Sequence, residues 1–598
     1  MKFYKNKNER NKKYFLYNIS LGSIIMLFIG ILIKLFFPNS NTNINKINND
    51  KTKFNTIVGI DFGSINSGYY IIFNSLDERD IIYNEISSQI LLDKIDGVSL
   101  SIGDNVYERL KVEKINKFIL YFSLFKKSFD QRINNNLIKI DYPGDEIKLK
   151  IVVKEFMRKM KEEIEEKIKE RKNNYNLNNI KWVIAIPPLW DIKGKKFMED
   201  AAIKAGMFNL DMIFEPEAIY SSLFKEDNKI VNKYLQKNKA FLIVDAGGYY
   251  IDFNAYKILD DNNLEQLMNP VSIVNGSSFI NEKIFTLFKN FVGEKKIKKN
   301  DYFSIKPIFD SIENWKKDID NGENLKLDIK PFKIQCKSKG VFSSIKNTIF
   351  PSPDICTKIV NKEKFTYDNN GLIIPHEYIS NIIDQTTTNI IFYLEHILAK
   401  IDHIDLIVFT GGFTANKIFK EKIKEYKKGH NSEIIFMKEP QTAVMKGAAL
   451  FTLKPNHIIK RIIPITIGVT SYELKNSNEA CDYEYIDENK NETRCYKYLI
   501  LVQKKESIKE NQIINRLIYV TYKRIYIYYS YEKEINKENK YVLGYIDSHL
   551  DESNNSIKKL NLAMTFSNYI NVSIIDKNLN VQNSTLLNYP KNKFLFNL

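Results

Sequence analysis

The chain has 598 residues, of which 44% are hydrophobic and 27% are charged. Such a composition is typical of folded proteins and excludes a wholly disordered chain, and the length predicts two or more domains. The formal net charge is +17, but the lysines are scattered among asparagines and acidic residues. Because no helix-turn-helix, zinc-finger or aromatic-basic RNA-binding motif accompanies them, we expect no nucleic acid partner.

The N-terminal segment predicts a membrane anchor. Residues 14–37 form the apolar run YFLYNISLGSIIMLFIGILIKLFF, which as a helix is long enough to cross a bilayer. Residues 1–13 form a basic tail, so the positive-inside rule places this tail in the cytosol and the body in the ER lumen or outside the cell. A cleaved signal peptide is the alternative, although no small-x-small cleavage site follows. Residues 38–54 are polar, which predicts a flexible linker.

The cysteines bear on metal binding and on the redox state of the protein. They are Cys336, Cys356, Cys481 and Cys495, and none of them forms a C-x-x-C pair, which argues against a structural zinc site. The two pairs that are near in sequence form disulfides if the body lies in an oxidising compartment, and buried free thiols are the alternative.

The body divides by pattern into two regions. Over residues 55–463, the apolar runs TIVGIDFGS, WVIAIPP, FLIVDAGG and LIVFTGG predict strands, and helical patterns such as VKEFMRKMKEEIEEKIKERK lie between them. This alternation predicts an α/β domain. Over residues 464–598, runs such as YKYLILVQ, RLIYVTYKRIYIYYSY and KLNLAMTF are separated by polar turns. They predict a separate β-rich domain.

Two strand ends carry glycine and aspartate in the pattern of an anion site. Glycines at a hairpin tip let backbone N–H groups approach a phosphate closely, and an aspartate at the strand end can hold a hydrated divalent cation. Taken singly, each motif is also what an ordinary strand turn looks like. The residues are Asp61, Gly63, Ser64 and Gly68 in IDFGSINSG and Asp245, Gly247, Gly248 and Asp252 in LIVDAGGYYIDF.

Two further motifs complete the candidate chemistry. Gly411 and Gly412 in VFTGGFTANKIF follow a strand and precede a helix, which allows the flat approach of a base or ribose. Glu215 in FEPEAIYSSLF could orient a water or a cation. An ordinary helix start is the alternative for this second motif, because proline is favoured in the first turn of a helix.

The order of these motifs resembles the superfamily of actin, hexokinase and heat shock protein 70. The resemblance is strongest to the heat shock protein 70 family, and within it to the divergent A12-like branch. VGIDFGSINSGYY and FLIVDAGGYYIDF resemble its two phosphate loops, SIENWKKDID its adenosine-contacting helix, and EPQTAVMKGAALF its second connecting helix. The resemblance implies a two-lobed actin-like ATPase (ribonuclease H-like) domain, followed by a β-rich substrate-binding-like domain without a helical lid.

The resemblance also implies roles for single residues. The nucleotide is ATP or ADP, contacted by the glycines and by Ser64, with Asp61 and Asp252 near Mg²⁺ and with Glu215 and Asp252 near the attacking water. Lys126 in YFSLFKKSF occupies the region of the catalytic lysine. The residues that embrace the adenosine are Glu313, Lys316 and Lys317, the last of which is usually an arginine in the chaperones.

Three departures from the family pattern predict altered chemistry. Ile65 stands where the family has a hydroxyl residue, and Tyr249 and Tyr250 replace a glycine and a threonine of the second loop. A tyrosine there places a bulky ring near the terminal phosphate and calls for a backbone conformation that it dislikes. Because fewer donors then stabilise a transferred phosphoryl group, we expect weak ATP hydrolysis or binding without turnover.

These observations predict a membrane-anchored, heat shock protein 70-like chaperone that binds ATP and Mg²⁺. Its expected partners are unfolded or extended polypeptide clients, co-chaperones, and the membrane through the N-terminal helix. A non-hydrolysing scaffold built on the nucleotide fold is the alternative. A small-molecule kinase of the same superfamily is disfavoured, because a β-rich region stands in place of a second α/β lobe insertion.

Overall fold

The structure is a computed structural model that describes most of the chain from residue 54 onward. The residues outside its description are 1–53, 55, 74–80, 94, 113–118, 124–136, 140–145, 172–175, 191, 227–228, 300–301, 318–321, 335–355, 430, 454–457, 477–480, 482, 488–491, 510–511, 522, 549–556, 567–569, 577–579 and 588–598.

The predicted membrane topology is contradicted. In the described part of the chain, no helix is both long enough and apolar enough to cross a membrane. The longest described helices, Leu149–Arg171 and His376–Leu398, have 23 residues each and carry charged side chains along their length. On this finding the predicted transmembrane helix is wrong, and so is the single-pass topology with a cytosolic N-terminus. The segment 14–37, the tail 1–13 and nearly all of the linker lie outside the described residues.

The first lobe is built on a sheet with the strand order β10-β9-β1-β2-β3. Its elements are β1 (Thr56–Asp61), β2 (Asn66–Phe73), β3 (Ile81–Ser87), β4 (Gln89–Asp93), β5 (Ser99–Ile102), α1 (Asn105–Val112), β6 (Ile119–Ser123), β7 (Leu137–Lys139), β8 (Glu146–Lys148), α2 (Leu149–Arg171), β9 (Ile180–Ile186), α3 (Ile192–Lys204), β10 (Leu210–Phe214) and α4 (Glu215–Leu223). Strands β1, β9 and β10 run parallel, so their carboxyl ends meet at one edge of the sheet.

The second lobe repeats this plan. Its elements are α5 (Lys229–Tyr234), β11 (Ala240–Ala246), β12 (Ile251–Ile258), β13 (Leu264–Gln266), β14 (Val271–Ile273), α6 (Ser277–Val292), α7 (Glu294–Lys299), α8 (Tyr302–Lys317), β15 (Leu325–Leu327), β16 (Cys356–Val360), β17 (Glu363–Tyr367), β18 (Leu372–Ile374), α9 (His376–Leu398), β19 (Leu406–Thr410), α10 (Lys417–Lys427), β20 (Glu433–Phe436) and α11 (Ala443–Phe451). Strands β11, β19 and β20 are parallel neighbours in its main sheet. The described body is thus mixed α/β and consistent with an actin-like fold.

Helices α4 and α11 lie between the two sheets and pack against both. Ile57 and Val183 of the first sheet, Phe241 and Val408 of the second, and residues of both helices share one buried cluster. A Cβ atom added to Gly447 of α11 would overlap the carbonyl oxygen of Ala218 in α4. The two helices therefore cross backbone to backbone, and this crossing joins the lobes.

The outer faces of the two sheets are covered by other helices. On the first sheet, α2 and α3 supply apolar side chains such as Phe156 and Met198 to the core. On the second sheet, α6, α9 and α10 do the same through Phe288, Ile390 and Phe419. Both sheets are buried on two faces, which explains why their parallel strands are near-continuous apolar runs in the sequence.

The described residues after Phe451 form strands and turns. These strands are β21 (Ile458–Ile462), β22 (Thr466–Leu474), β23 (Glu484–Asp487), β24 (Glu492–Val502), β25 (Ser507–Lys509), β26 (Ile514–Val520), β27 (Arg524–Ser530), β28 (Tyr541–Asp547), β29 (Lys558–Phe566), β30 (Ile570–Ile575) and β31 (Val581–Leu587). The sheets β23-β24-β22-β27-β28 and β26-β29-β30-β31 share a core that includes Ile467, Ile527, Leu562 and Val572. They form a two-sheet sandwich.

The sequence leaves open whether the cysteines form disulfides or free thiols, and the described cysteines are disulfide-bonded. Cys481 and Cys495 are bonded, with their Cα atoms 5.3 Å apart, and they tie the segment before β23 to β24. Cys356 is disulfide-bonded as well, and Cys336 lies outside the described residues.

Strand β21 connects the second lobe to the β-rich region. This strand pairs in parallel with β13 of the second lobe, and β25 adds to its other edge. The carboxylate of Glu265 accepts a hydrogen bond from Ser507 Oγ at 3.0 Å and lies 3.5 Å from Lys460 Nζ. Residues 54–598 form one compact unit, so the predicted boundary between residues 463 and 464 stays a prediction.

The helix crossing gives a test of the fold. Gly447→Ala should lower the free energy of unfolding by about 1–3 kcal/mol, because its Cβ meets a backbone carbonyl that cannot rotate away. Gly429→Ala is the matched control, since its Cβ would lie 3.9 Å from the nearest atom outside its neighbours, the carbonyl oxygen of Tyr426. Denaturant midpoints measure both changes. Equal midpoints for the two variants would show that α4 and α11 do not cross at this point.

Candidate functional site

Two hairpin loops lie at the carboxyl ends of the central strands. The first loop, residues 62–65, joins β1 to β2, and Asp61 pairs with Gly68 at its base. The second loop, residues 247–250, joins β11 to β12, and Asp245 pairs with Asp252 near its base. Each lobe therefore presents a hairpin with an aspartate at the end of its first strand.

The two loops contact each other. A Cβ atom added to Gly248 would lie 2.6 Å from Cγ1 of Ile65 and closer still to its Cδ1. The side chain of Ile65 therefore packs directly against the backbone of Gly248. The lobes also meet where Lys306 Nζ of α8 lies 5.5 Å from the ring centroid of Tyr107 in α1. The two hairpins thus meet where the lobes contact each other.

Ser88 fixes two carbonyl groups of the first loop by hydrogen bonds. Ser88, at the turn between β3 and β4, donates its backbone N–H to the carbonyl of Ile65 at 2.7 Å and its hydroxyl to the carbonyl of Gly63 at 2.9 Å. In a trans peptide the N–H points opposite to the C=O. The N–H groups of Ser64 and Asn66 therefore point away from Ser88.

The second loop is held in the same way by the start of α6. The carbonyls of Gly247, Gly248 and Tyr249 accept hydrogen bonds from backbone N–H groups of residues 277, 278 and 276 at 3.2, 2.7 and 3.0 Å. The same peptide geometry points the next three N–H groups, those of residues 248–250, away from α6. Successive N–H groups on one side of a turn form a concave site for an anion.

The Gly411 turn lies beside the second hairpin. Gly411 has φ of 86°, and a Cβ atom added to it would overlap Oδ1 of Asp245 and lie 2.5 Å from the carbonyl oxygen of Ala246. Both the backbone angle and the close approach require glycine here. Gly412 is exposed, and the atom nearest to a Cβ added there is Cγ of Gln441 at 4.0 Å. The turn thus offers an open, flat surface next to Asp245.

Helix α8 brings a charged pair to this turn. Lys316 is 8% exposed, and its Nζ lies 2.9 Å from Oε1 of Glu313 and 3.2 Å from the carbonyl oxygen of Ser277. The backbone carbonyl of Lys316 accepts a hydrogen bond of 3.4 Å from Asn416, which ends the turn that begins at Gly411. Glu313 also accepts a hydrogen bond from Asn281 of α6. These contacts join α6, α8 and the glycine turn into one wall.

Glu215 belongs to the first lobe. It is the first residue of α4, directly after β10, and it is buried. Its neighbour Glu217 accepts a hydrogen bond of 3.2 Å from the backbone N–H of Phe214 and lies 4.0 Å from Arg461 of β21. Burial is the main cause that raises the pKa of the Tyr256 phenol, and the negative charge of Glu217 raises it further. Because β1 and β10 are parallel, Glu215 and Asp61 lie at the same edge of the sheet.

Two predicted residues cannot be placed and one expectation is wrong. Lys126 lies outside the described residues, and Lys317 ends α8 with its side chain outside the description. The strained backbone expected at Tyr249 and Tyr250 does not occur, since neither has a positive φ. Their rings instead pack edge to face, with centroids 4.7 Å apart.

The described carboxylates do not form a metal cage. Among the residues that the structure describes, no group of three or more His, Cys, Asp or Glu side chains could hold a metal ion. Mg²⁺ commonly keeps several waters and takes only one or two carboxylates together with substrate phosphates. In that second mode, Asp61 and Asp252 at the bases of the two hairpins would supply the carboxylates.

A nucleotide fits one end of this site better than the other. The Gly411 turn and the Lys316 wall suit an adenosine, and the buried Oδ1 of Asn281 has no hydrogen-bond partner within the described residues. A ribose hydroxyl is a suitable donor to such an atom. At the hairpin tips, in contrast, the apolar side chain of Ile65 packs against the backbone of Gly248 and offers no hydrogen-bond donor.

Several residues of the site carry no signal in the sequence. Ser88, Asn281 and Asn416 are ordinary polar residues of a strand end and of helix starts, and no motif distinguishes them. In the sequence, Ile65 stands out only because the family has a hydroxyl residue at this position. Its contact with Gly248 joins residues far apart in the chain, so only the fold could have located it.

Comparison with known proteins supports a distant family relationship. No protein-family model matches the chain. Heat shock 70 kDa protein 12A of mouse is 21% identical over 507 residues, covering 70% of this chain and 72% of that protein. The human Heat shock 70 kDa protein 12A is 20% identical over the same coverage. These similarities support a divergent relationship to the heat shock protein 70 group of actin-like ATPases.

The charged wall of α8 provides a test of the adenosine end. Lys316→Met should weaken ADP binding by at least about tenfold, or ~1.4 kcal/mol, because a buried cation beside Glu313 is lost. Isothermal titration calorimetry measures the affinity. Lys422→Met is the control, since its ion pair with Asp384 joins α10 to α9 at the surface. The assignment fails if both variants bind ADP as the parent does.

Proposed function

We propose that the chain is a heat shock protein 70-like nucleotide-binding protein. It binds an adenine nucleotide with Mg²⁺ in the cleft between its two lobes and hydrolyses ATP weakly or not at all. The nucleotide class and the metal are those of the distant relatives' family. The binding mode comes from this chain's own loops.

The arrangement of the loop amides carries the proposal. Ser88 and the start of α6 hold the carbonyls of the two hairpins from behind, so that the N–H groups lie on the other side of each loop. Backbone donors fixed in this way bind phosphate oxygens without reorganising. The Gly411 turn lies next to the second hairpin, and Lys316 bonds to Ser277 at the start of α6.

Weak hydrolysis follows from what the loops lack. In phosphoryl transfer, donors and cations must stabilise the charge that develops on the transferred group. Here Ile65 presents an apolar side chain to the second loop, and Tyr249 and Tyr250 pack on each other. Glu215 and Asp252 are the carboxylates that would orient the attacking water. A non-hydrolysing scaffold is the second candidate, and the contact of Ile65 with Gly248 favours it.

We also propose that the β-rich region binds extended polypeptides. Strands β26 and β31 end one of its sheets, and a peptide can add to such an edge through backbone hydrogen bonds. The pairing of β13 with β21 gives this region a direct connection to the sheet that carries the second hairpin. Co-chaperones would act on the same connection.

Thermal stabilisation tests nucleotide binding. ADP with Mg²⁺ at about 100 times its dissociation constant should stabilise the protein by about 2.7 kcal/mol and raise its melting temperature. Gly412→Glu should abolish the shift, because a side chain there extends into the open surface of the turn. Gly429→Glu places the same side chain on an exposed glycine after α10 and should keep the shift. Loss in both variants, or in neither, would contradict the site.

A single-turnover assay with labelled ATP separates the two candidates. Phosphate release at background rate, together with the thermal shift, selects the scaffold. Slow but measurable release that Glu215→Gln removes selects the weak ATPase. Release at the rate of ordinary heat shock protein 70 chaperones would contradict both.

A further inference from the structure

The contact between the two hairpin tips bears on which nucleotide the site accepts. Ile65 is the last residue of the first loop, and Gly248 is the second residue of the second loop. A Cβ atom added to Gly248 would meet three atoms of the Ile65 side chain, at 3.1 Å from Cβ, 2.6 Å from Cγ1 and closer from Cδ1. The tips are therefore in van der Waals contact through an apolar side chain.

Both sides of this contact are fixed by hydrogen bonds. On one side, Ser88 holds the carbonyls of Gly63 and Ile65, and its hydroxyl also lies 2.9 Å from that of Ser67. On the other side, α6 holds the carbonyls of residues 247 and 248. Neither loop can retreat without breaking these bonds. The space between the tips is thus set by the side chain at position 65.

A phosphoryl group needs hydrogen-bond donors around it, and an isoleucine side chain provides none. A phosphate carries negative oxygens that need donors, and burying them against an aliphatic side chain without hydrogen bonds is costly. Ile65 offers no donor, and its branched side chain already reaches the backbone of Gly248. The neighbouring Ser64 carries a hydroxyl, and the amides of residues 248–250 point away from α6.

We propose that Ile65 sets the phosphate length that the cleft accepts, and that the preferred ligand is a nucleoside diphosphate. This inference rests on the proposed nucleotide binding. A ligand whose base lies at the Gly411 turn extends its phosphates toward the hairpin tips. Two phosphates are contacted by the loop amides, and a third meets Ile65. The site therefore selects ADP over ATP.

Calorimetric titration of the full chain tests this inference directly. With Mg²⁺ present, the wild-type protein should bind ADP at least about tenfold more tightly than a non-hydrolysable ATP analogue. Ile65→Ser removes the apolar contact and supplies a hydroxyl, so it should strengthen binding of the analogue about tenfold while ADP binding changes by less than about threefold. Ile65→Val shortens the side chain and should fall between the two.

A matched control guards against a general effect of the substitution. Ile95→Ser makes the same change at an isoleucine of the first lobe that is 78% exposed, and both affinities should stay at the wild-type value. Circular dichroism checks that each variant is folded.

The outcomes separate this inference from the proposed function. If the analogue binds the wild-type protein as tightly as ADP does, or if Ile65→Ser leaves the ratio of the two affinities unchanged, the role of Ile65 is overturned while nucleotide binding stands. If neither ligand binds the wild-type protein or folded Ile65→Ser, nucleotide binding itself is overturned, and this inference with it.

Discussion

The crossing of α4 and α11 is the constraint on which the rest of the structure depends. Gly447 lets the backbone of α11 lie directly against Ala218 of α4, and the same two helices pack against both sheets. Interiors are close-packed, so the distance between the helices fixes the distance between the sheets. The hairpins at the sheet edges then meet at a definite separation. A bulkier residue at 447 would move one lobe relative to the other.

At the hairpin tips, that fixed separation makes one side chain decisive. The loop amides are arranged as an anion site requires, because their carbonyls bond to Ser88 and to α6. Position 65 lies in the gap between the loops, where a hydroxyl could bond a phosphate oxygen and an isoleucine cannot. The same residue that joins the lobes through an apolar contact therefore removes a donor from the site. The proposed nucleotide binding and the proposed weak turnover would thus have one common cause in this geometry.

The sequence predicted the elements of this site better than their contacts. Apolar runs that end in Asp61 and Asp245 followed by glycine predicted both hairpins, because strand period and glycine turns are local signals. The contacts of Lys316 with Ser277 and of Ile65 with Gly248 depend on how helices and lobes pack, which no local pattern contains. The membrane helix was predicted from hydropathy alone, and the described helices contradict it. Neither tyrosine of the second loop has a positive φ, and the backbone N–H of Gly247 donates to the carbonyl of Tyr250 across the loop.

Hydrogen exchange with and without ADP and Mg²⁺ tests the central claim most directly. If the loop amides of both hairpins bind the phosphates of a nucleotide whose base lies at the Gly411 turn, exchange should slow in peptides that cover residues 61–68, 245–252 and 409–416. Exchange in strands β29 and β30 should stay unchanged. Unchanged exchange in both hairpins at a saturating concentration of ADP would contradict it.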